Sequence, residues 1–360
     1  MKIGVPREIK NHEYRVGLVP EAVRGLAAAG HELTVETGAG TAIGFSDQDY
    51  AAAGARIAAD AEETFRSAEL IVKVKEPQPE ECRRLTQGQV LFTYLHLAAD
   101  RAQAEALMAS GCTAIAYETV VGPDGSLPLL TPMSEVAGRM SVQVGAQYCT
   151  KTFGGRGVLL SGVPGVAPAR VVVIGGGVSG SHAAEMAAGL RADVTIFERS
   201  VSRLRELDQL FAGRARVLFS SPQAIGAALE GADLLVGAVL IPGAAAPRVV
   251  TREMLRRMGA GAVAVDIAID QGGCLETSRP TSHANPTYVD EGVIHYCVTN
   301  MPGAVPRTST FALNNVTVPY VHQLAAHGWQ EAVARDPGLR EGVNVTAGRI
   351  VHPAVQRALQ

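Results

Sequence analysis

One stretch constrains this chain more than any other. The apolar run Val171-Val172-Val173-Ile174 leads directly into Gly175-Gly176-Gly177-Val178-Ser179-Gly180, a strand entering a GxGxxG turn. A helix-forming segment, residues 181–190, follows at once. A second strand, 193–197, then ends in Glu198, 18 residues after Gly180. Each glycine has a physical task. Gly175 allows a tight turn, Gly177 lets the backbone approach a pyrophosphate, and Gly180 lets the helix pack on the strand. Backbone N–H groups at the helix start, Val178 and Ser179 among them, then receive the anion. Glu198 stands where an acidic residue meets the adenosine ribose hydroxyls, so it repels a 2′-phosphate and favours NAD over NADP. Arg199 beside it pulls weakly the other way. A glycine-rich turn alone is common, and a merely tight strand–helix turn is the competing reading. Strand, turn, helix, second strand and carboxylate all in register favour dinucleotide binding.

The rest of the chain repeats the same alternation. With 360 residues it has the length of about two domains. Strand-like runs at 2–5, 32–36, 69–74, 89–95 and 112–117 alternate with helix-like segments at 21–29, 47–53, 80–85 and 100–109. A second series places strands at 170–174, 193–197, 216–220, 233–239, 262–267 and 293–298. Such alternation implies parallel strands with crossover helices. Between the series, Ser134 is positioned to cap a helix reaching about residue 152, with Val136, Met140, Val144 and Tyr148 recurring every fourth residue. That helix reads as a strut between domains. A further helix at 308–326, bent by Pro319 and closed by Gly328, is expected to return to the first domain. The expected fold is α/β: two Rossmann-like, doubly wound parallel-sheet domains joined by long helices, with a cleft between them. Residues 1–130 with 306–360 would form one discontinuous domain, and 131–305 the dinucleotide-binding domain.

Several function classes are disfavoured. The net charge is −3 and no basic stripe occurs, which argues against a nucleic-acid partner. The longest apolar run, 169–190, contains five glycines, two serines, an arginine, a histidine and a glutamate and makes a poor bilayer span. The opening residues read as a strand without a secretory leader pattern. Five scattered cysteines without CxxC spacing argue against a disulfide framework or zinc site and for a reducing, cytoplasmic compartment. His283, His295, His322, His327 and His352 show no HxxxH or HxH spacing, so no metal is expected.

Ligands of open α/β sheets bind at the carboxyl ends of the strands. In the first series Lys75, His96 and Glu118 follow strands, and Arg7, Glu8 and Arg15 lie in the loop after the first strand. In the second, Asp270 and Asn300 hold equivalent places. Each has an ordinary alternative. Lys73 and Lys75 share a strand face and one can pair structurally; His96 can be a satisfied core histidine; Asp270, before Gln271-Gly272-Gly273, can be a turn residue; Arg15 can be a surface arginine. The set together at one rim is more than a solvated surface needs.

At this point the sequence resembles the alanine dehydrogenase/nicotinamide nucleotide transhydrogenase family. The matching segments are 1–6 with 13–20, 72–77 (VKVKEP), 94–98 (YLHLA), 131–139 (TPMSEVAGR), the glycine turn, 236–247 (VGAVLIPGAAAP) and 266–310, which contains DIAIDQGG and TNMPGAVPRTST. The resemblance covers essentially the whole chain, and VKVKEP with YLHLA points to the dehydrogenase branch. It implies reversible NAD-dependent oxidative deamination of L-alanine to pyruvate and ammonium. By the same resemblance Arg15 and Lys75 hold the substrate carboxylate and carbonyl, His96 is the acid/base, and Asp270 is the aspartate beside it. Ser134 and Asn300 fall near the nicotinamide. Arg203 and Ser220 fall near the adenosine half, with Val239, Leu240, Ile267 and Met301 also lining the cofactor. Glu198 replaces the usual aspartate, one methylene longer. Tyr94, Leu130, Met133 and Met301 are candidates for a small methyl pocket. A homohexamer is the expected assembly. The rival readings are a transhydrogenase-like NAD(H)-binding module, a saccharopine- or lysine-type dehydrogenase with Glu118 as a second anchor, and an NAD sensor.

Overall fold

In chain order the strands are β1 (Lys2–Val5), β2 (Glu32–Glu36), β3 (Ala55–Ala58), β4 (Leu70–Val72), β5 (Val90–Thr93), β6 (Thr113–Ala116), β7 (Arg170–Ile174) and β8 (Asp193–Glu198). They continue as β9 (Arg216–Phe219), β10 (Leu234–Gly237), β11 (Val263–Asp266), β12 (Thr287–Asp290), β13 (Val293–Tyr296), β14 (Val343–Thr346) and β15 (Arg349–Ile350). The computed structural model describes residues 1–239 and 246–359. The chain divides into two units, residues 1–133 with 303–360 and residues 134–302.

The sheet of the first unit runs β15-β14-β6-β5-β4-β1-β2-β3. Its six strands from β1 to β6 pair in parallel, and β14 and β15 close one edge antiparallel. The sheet of the second unit runs β12-β13-β11-β10-β7-β8-β9, parallel except for β12. In each, the first strand of its series sits in the middle, and the next strands go out on one side before the chain crosses to the other. The switch points lie between β1 and β4, and between β7 and β10. Loops leaving the two central strands part there and open a crevice at the strands' carboxyl ends. The central strands are apolar on both faces: Ile3, Val5, Leu70, Ile71, Leu91 and Phe92 in the first sheet, and Val171, Val173, Leu234 and Val265 in the second, are 0% exposed. Continuous apolar strands are what a parallel sheet covered on both faces demands.

Both sheets are parallel-dominated, as expected, and each carries antiparallel pairing at one edge that the sequence pattern did not announce. The unexpected hairpins share one cause. The β12–β13 turn places Glu291 and Gly292 at φ 52° and 76°, and the β14–β15 turn places Ala347 and Gly348 at 50° and 69°. Two-residue turns with both φ values positive suit hairpin twist, but their usual signal is Asn-Gly or Asp-Gly. Glu and Ala in the first position hide it. Ser134 is also placed differently. The helix is Thr131–Tyr148, so Ser134 lies inside it and is not its N-cap. Pro132 explains the early start, since proline is at home in a helix's first turn. The return helix spans Pro306–Arg335, with Pro319 inside and a break at Gly328, φ 74° and ψ 158°. All five cysteines are buried and free of disulfides.

Candidate functional site

In the first unit the loop after β1 carries Arg15, and the return helix fixes that loop. Asn314 accepts from Val19 N–H at 2.9 Å and donates to the Gly17 carbonyl at 3.1 Å. Arg15 is only 2% exposed. Its Nε donates to Glu13 Oε1 at 2.7 Å, its Nη2 to Glu13 Oε2 at 2.5 Å, and its Nη1 points to Met133 Sδ at 3.1 Å. Burial pulls the guanidinium towards losing its proton, but Glu13 more than offsets this, so the group stays charged. Glu13 takes the Nε/Nη2 edge of the guanidinium and fixes its plane.

Lys73 and Lys75 leave β4 two residues apart and do different work. The ladder continues past the strand end, with Lys73 N–H donating to the Phe92 carbonyl at 3.1 Å. Lys73 is wholly buried, its Nζ 3.0 Å from Glu8 Oε2 and 2.6 Å from Glu81 Oε1. Burial pushes the Glu8 carboxyl up to about 7 against the opposing pull of Lys73. Lys75 instead comes to the rim, its Nζ 3.4 Å from His96 Nε2 and 3.7 Å from Glu76 Oε2.

His96 follows β5 with a left-handed backbone, φ 52°. Its side chain is exposed. The Glu118 carboxylate accepts the His96 N–H at 2.6 Å and the Leu95 N–H at 3.2 Å. Glu118 therefore binds the main chain under His96, which does not suit the role of anchor for a second substrate end. The Tyr94 ring stacks on the imidazole, centroids 5.8 Å apart and planes 9° from parallel. Its hydroxyl donates to the Leu129 carbonyl, and burial raises its pKa, so it stays a neutral phenol. Met133 is buried and Leu130 half-buried beside this corner's loops.

In the second unit the glycine turn is built to receive a group from outside. A Cβ on Gly175, at φ 101°, would meet the Ala238 carbonyl oxygen at 2.6 Å, and one on Gly180 would meet the Gly175 carbonyl oxygen at 1.8 Å. A Cβ on Gly177 would meet nothing within 4 Å. The turn is thus tight on its inner side and open at the start of the helix Val178–Gly189, where Gly177 and Val178 are exposed. That shape fits a pyrophosphate. Glu198 closes the end of β8, accepting from Gly176 N–H at 2.9 Å, Arg199 N–H at 2.7 Å and Ser200 N–H at 2.8 Å. Arg203 braces the same turn, donating to the Gly176 carbonyl and to Ser181 Oγ, both at 2.8 Å, and pairing with Glu206. Ser220 is half-buried, its N–H on the Glu198 carbonyl at 2.9 Å.

Asp270 is exposed in the 3-10 turn Ile267–Gln271 after β11. That turn is shaped by Asp266, 0% exposed, which accepts from Ala268 N–H at 3.0 Å, Cys274 N–H at 2.8 Å and Ser278 Oγ at 2.5 Å. Asn300 has φ 58°, with its carbonyl 3.2 Å from His283 Nε2. Ile267, Val239 and Ser134 are half-buried, and Met301 is buried. Leu240 lies outside the described residues.

Arg15, Lys75, Tyr94, His96, Leu130 and Met133 thus lie in the first unit, and Ser134, the glycine turn, Glu198, Arg203, Ser220, Val239, Ile267, Asp270, Asn300 and Met301 in the second. The sequence reading missed Glu13, Glu76, Glu81 and Asp266. The available signal was proximity: Glu13 stands two residues before Arg15, and Glu76 directly after Lys75.

A family model described as "Alanine dehydrogenase/PNT, N-terminal domain" matches residues 4–137, and one described as "Alanine dehydrogenase/PNT, C-terminal domain" matches 141–353. Among individual proteins, the chain is 58% identical to an alanine dehydrogenase of Halomonas elongata over 358 residues, covering 99% of this chain and 96% of that one. A solved structure titled L-alanine dehydrogenase superposes with a TM-score of 0.96 at 56% identity, covering 99% of both chains. A transhydrogenase from Sinorhizobium meliloti superposes with a TM-score of 0.83 at 25% identity, covering 98% of this chain and 100% of that one.

Proposed function

The chain belongs to the alanine dehydrogenase/PNT family, and from that premise we propose that Arg15, Lys75, His96 and Asp270 carry the NAD-dependent oxidative deamination of L-alanine. The reaction is reversible, its products are pyruvate and ammonia, and its cofactor is NAD. The observation that supports the residue assignment is the Lys75–His96 contact of 3.4 Å, with Arg15 in electrostatic reach of Tyr94, whose ring stacks on His96.

Substrate alanine presents a carboxylate, an ammonium and a methyl. Arg15 takes the carboxylate, with Glu13 fixing the guanidinium plane. His96 takes a proton from the ammonium, which frees the nitrogen lone pair that drives hydride from Cα. Bound NAD supplies the hydride acceptor, nicotinamide C4. Water adds to the resulting imine, and His96 moves protons between that water, the carbinolamine hydroxyl and the leaving nitrogen. Lys75 donates to the carbonyl oxygen of pyruvate as it forms. Asp270 balances the positive charge of iminium and imidazolium. Tyr94, Leu130 and Met133 border the methyl, where one extra carbon costs about 1–3 kcal/mol, so selectivity against near relatives is graded. The glycine turn with Val178 and Ser179 holds the pyrophosphate, and Glu198 with Ser220 the adenosine ribose side. Arg203 contributes by bracing the turn. Ser134, Val239, Leu240, Ile267, Asn300 and Met301 are assigned to the nicotinamide half.

Family resemblance supports a homohexamer, and five buried free thiols fit a reducing cytoplasm. Among the described residues no helix is long and apolar enough to cross a membrane. The deciding experiment is NADH formation by the purified protein with NAD and a panel of amino acids at alkaline pH. Turnover with L-alanine far above serine, lysine and glycine is expected. No turnover, with NAD(H) binding intact by fluorescence, would replace the enzyme with a transhydrogenase-like binding module.

A further inference from the structure

Beside the Lys75–His96 pair lies a third charged group that the mechanism above leaves idle. Glu76 is the residue after Lys75, and its side chain is 15% exposed. One carboxylate oxygen, Oε1, pairs with Lys10 from the loop after β1. The other, Oε2, is buried, accepts no hydrogen bond among the described residues, and faces Lys75 Nζ at 3.7 Å. Lys75 Nζ in turn lies 3.4 Å from His96 Nε2. Four side chains thus stand in a row with alternating character: ammonium, carboxylate, ammonium, imidazole.

We propose that Glu76 is a positioning residue for the Lys75–His96 pair: its carboxylate, shared with Lys10, holds the Lys75 ammonium in place against His96 and screens the imidazole from that charge. The inference deepens the dehydrogenase reading and rests on it for its meaning in turnover.

The physical argument is direct. An ammonium 3.4 Å from an imidazole nitrogen opposes protonation of the ring and, unrestrained, swings into solvent. A carboxylate behind the ammonium removes both problems. Burial pushes the Glu76 carboxyl up, but Lys75 and Lys10 outweigh burial and draw it below its ordinary value, so it remains an anion. The other charged groups of the corner already have partners. Arg15 is paired with Glu13, and Lys73 with Glu8 and Glu81. Glu118 binds the His96 and Leu95 N–H groups, and Tyr94 is a neutral phenol stacked on the ring. Glu76 is the anion that faces the ammonium of Lys75.

The test reads His96 itself. Tryptic cleavage after Arg84 and Arg101 yields a peptide in which His96 is the one histidine. The pH dependence of its carbethoxylation by diethyl pyrocarbonate in the intact, unliganded protein, followed by peptide mass spectrometry, gives the midpoint of imidazole protonation. In Glu76→Gln that midpoint moves down by about one pH unit, because the ammonium is no longer screened. In Lys10→Met it moves up by a smaller amount, because Glu76 loses its competing cation. Opposite movements in the two variants are a signature that a general loss of packing does not produce. The acid limb of kcat/KM for L-alanine moves with each midpoint, and the KM for pyruvate rises in Glu76→Gln. Midpoints equal to wild type in both variants would overturn the proposal. Lys10 is half-buried in a loop, so its variant perturbs packing less and keeps the test decisive should Glu76→Gln fold poorly. Wild-type turnover of L-alanine is measured alongside; its absence would defeat the dehydrogenase reading alone, since the midpoints are read without turnover.

Discussion

The Glu118 carboxylate accepts the backbone N–H of His96 at 2.6 Å. That bond fastens the end of β6 to the residue after β5, at a position where the His96 backbone is left-handed. Non-glycine residues reach that region at a cost and stay only when their surroundings hold them. Glu118 is the holder, and the imidazole is aimed as a consequence.

Glu118→Ala therefore loses activity without losing the cofactor site. Hydrogen bonds to a charged acceptor are worth about 1.5–3 kcal/mol, which corresponds to a fall in kcat/KM of roughly 10- to 100-fold. NADH binding by fluorescence should be unchanged. Wild-type kcat/KM in a folded Glu118→Ala protein would refute the positioning role.

The two lysines after β4 separate stability from activity. Lys73→Met leaves Glu8 and Glu81 buried without their shared cation, and breaking such a pair costs about 3–5 kcal/mol. Its melting temperature should drop sharply. Lys75→Met leaves Glu76 its pairing with Lys10, so its melting temperature falls less than that of Lys73→Met, while kcat/KM falls on the order of 100-fold or more, as for loss of a donor at a developing charge. The reverse pattern in differential scanning fluorimetry and kinetics would overturn both assignments.

Cofactor choice depends on Glu198, whose carboxylate is placed by three N–H groups. Glu198→Ser removes the repulsion towards a 2′-phosphate and leaves the exposed Arg199 to receive it. The NADP-to-NAD ratio of kcat/KM should rise by about 10-fold or more. An unchanged ratio would show that selectivity resides elsewhere.

His295 makes stability pH-dependent. It is 0% exposed, its Nδ1 2.9 Å from the Val293 carbonyl and its Nε2 2.7 Å from Thr277 Oγ1. Burial holds its pKa below the ordinary histidine value of 6.5. Below that value the unfolded chain takes up a proton that the folded one resists. The contribution is therefore complete above about pH 6.5 and is lost as the pH falls towards the lower folded value. Melting temperatures measured from about pH 8 down to 5 should show a steeper decline in wild type than in His295→Gln. Parallel curves would remove His295 as the cause.

Much of this protein was legible from local pattern alone. The glycine turn, the buried strands and the residues at strand ends each follow from short-range rules: periodicity, turn chemistry and the direction in which a strand points its last side chains. Asp270 and His96 were singled out as candidates that way. Local pattern could not reveal hairpins whose turns use Glu291 and Ala347 at positive φ, because the residues that usually announce such turns are absent.

Tertiary structure decided the pairing of charges. Lys73 and Lys75 look alike in sequence, yet one is enclosed by Glu8 and Glu81 and the other meets His96 and Glu76. Glu118 carries a carboxylate that composition cannot distinguish from a substrate anchor, and only the fold shows it bound to main-chain N–H groups. The reason is physical. Which side chain a strand presents is set by neighbours a few residues away. Which opposite charge or donor it meets is set by crossovers that bring together residues some twenty to seventy positions apart, such as Glu118 with His96 and Glu8 with Lys73.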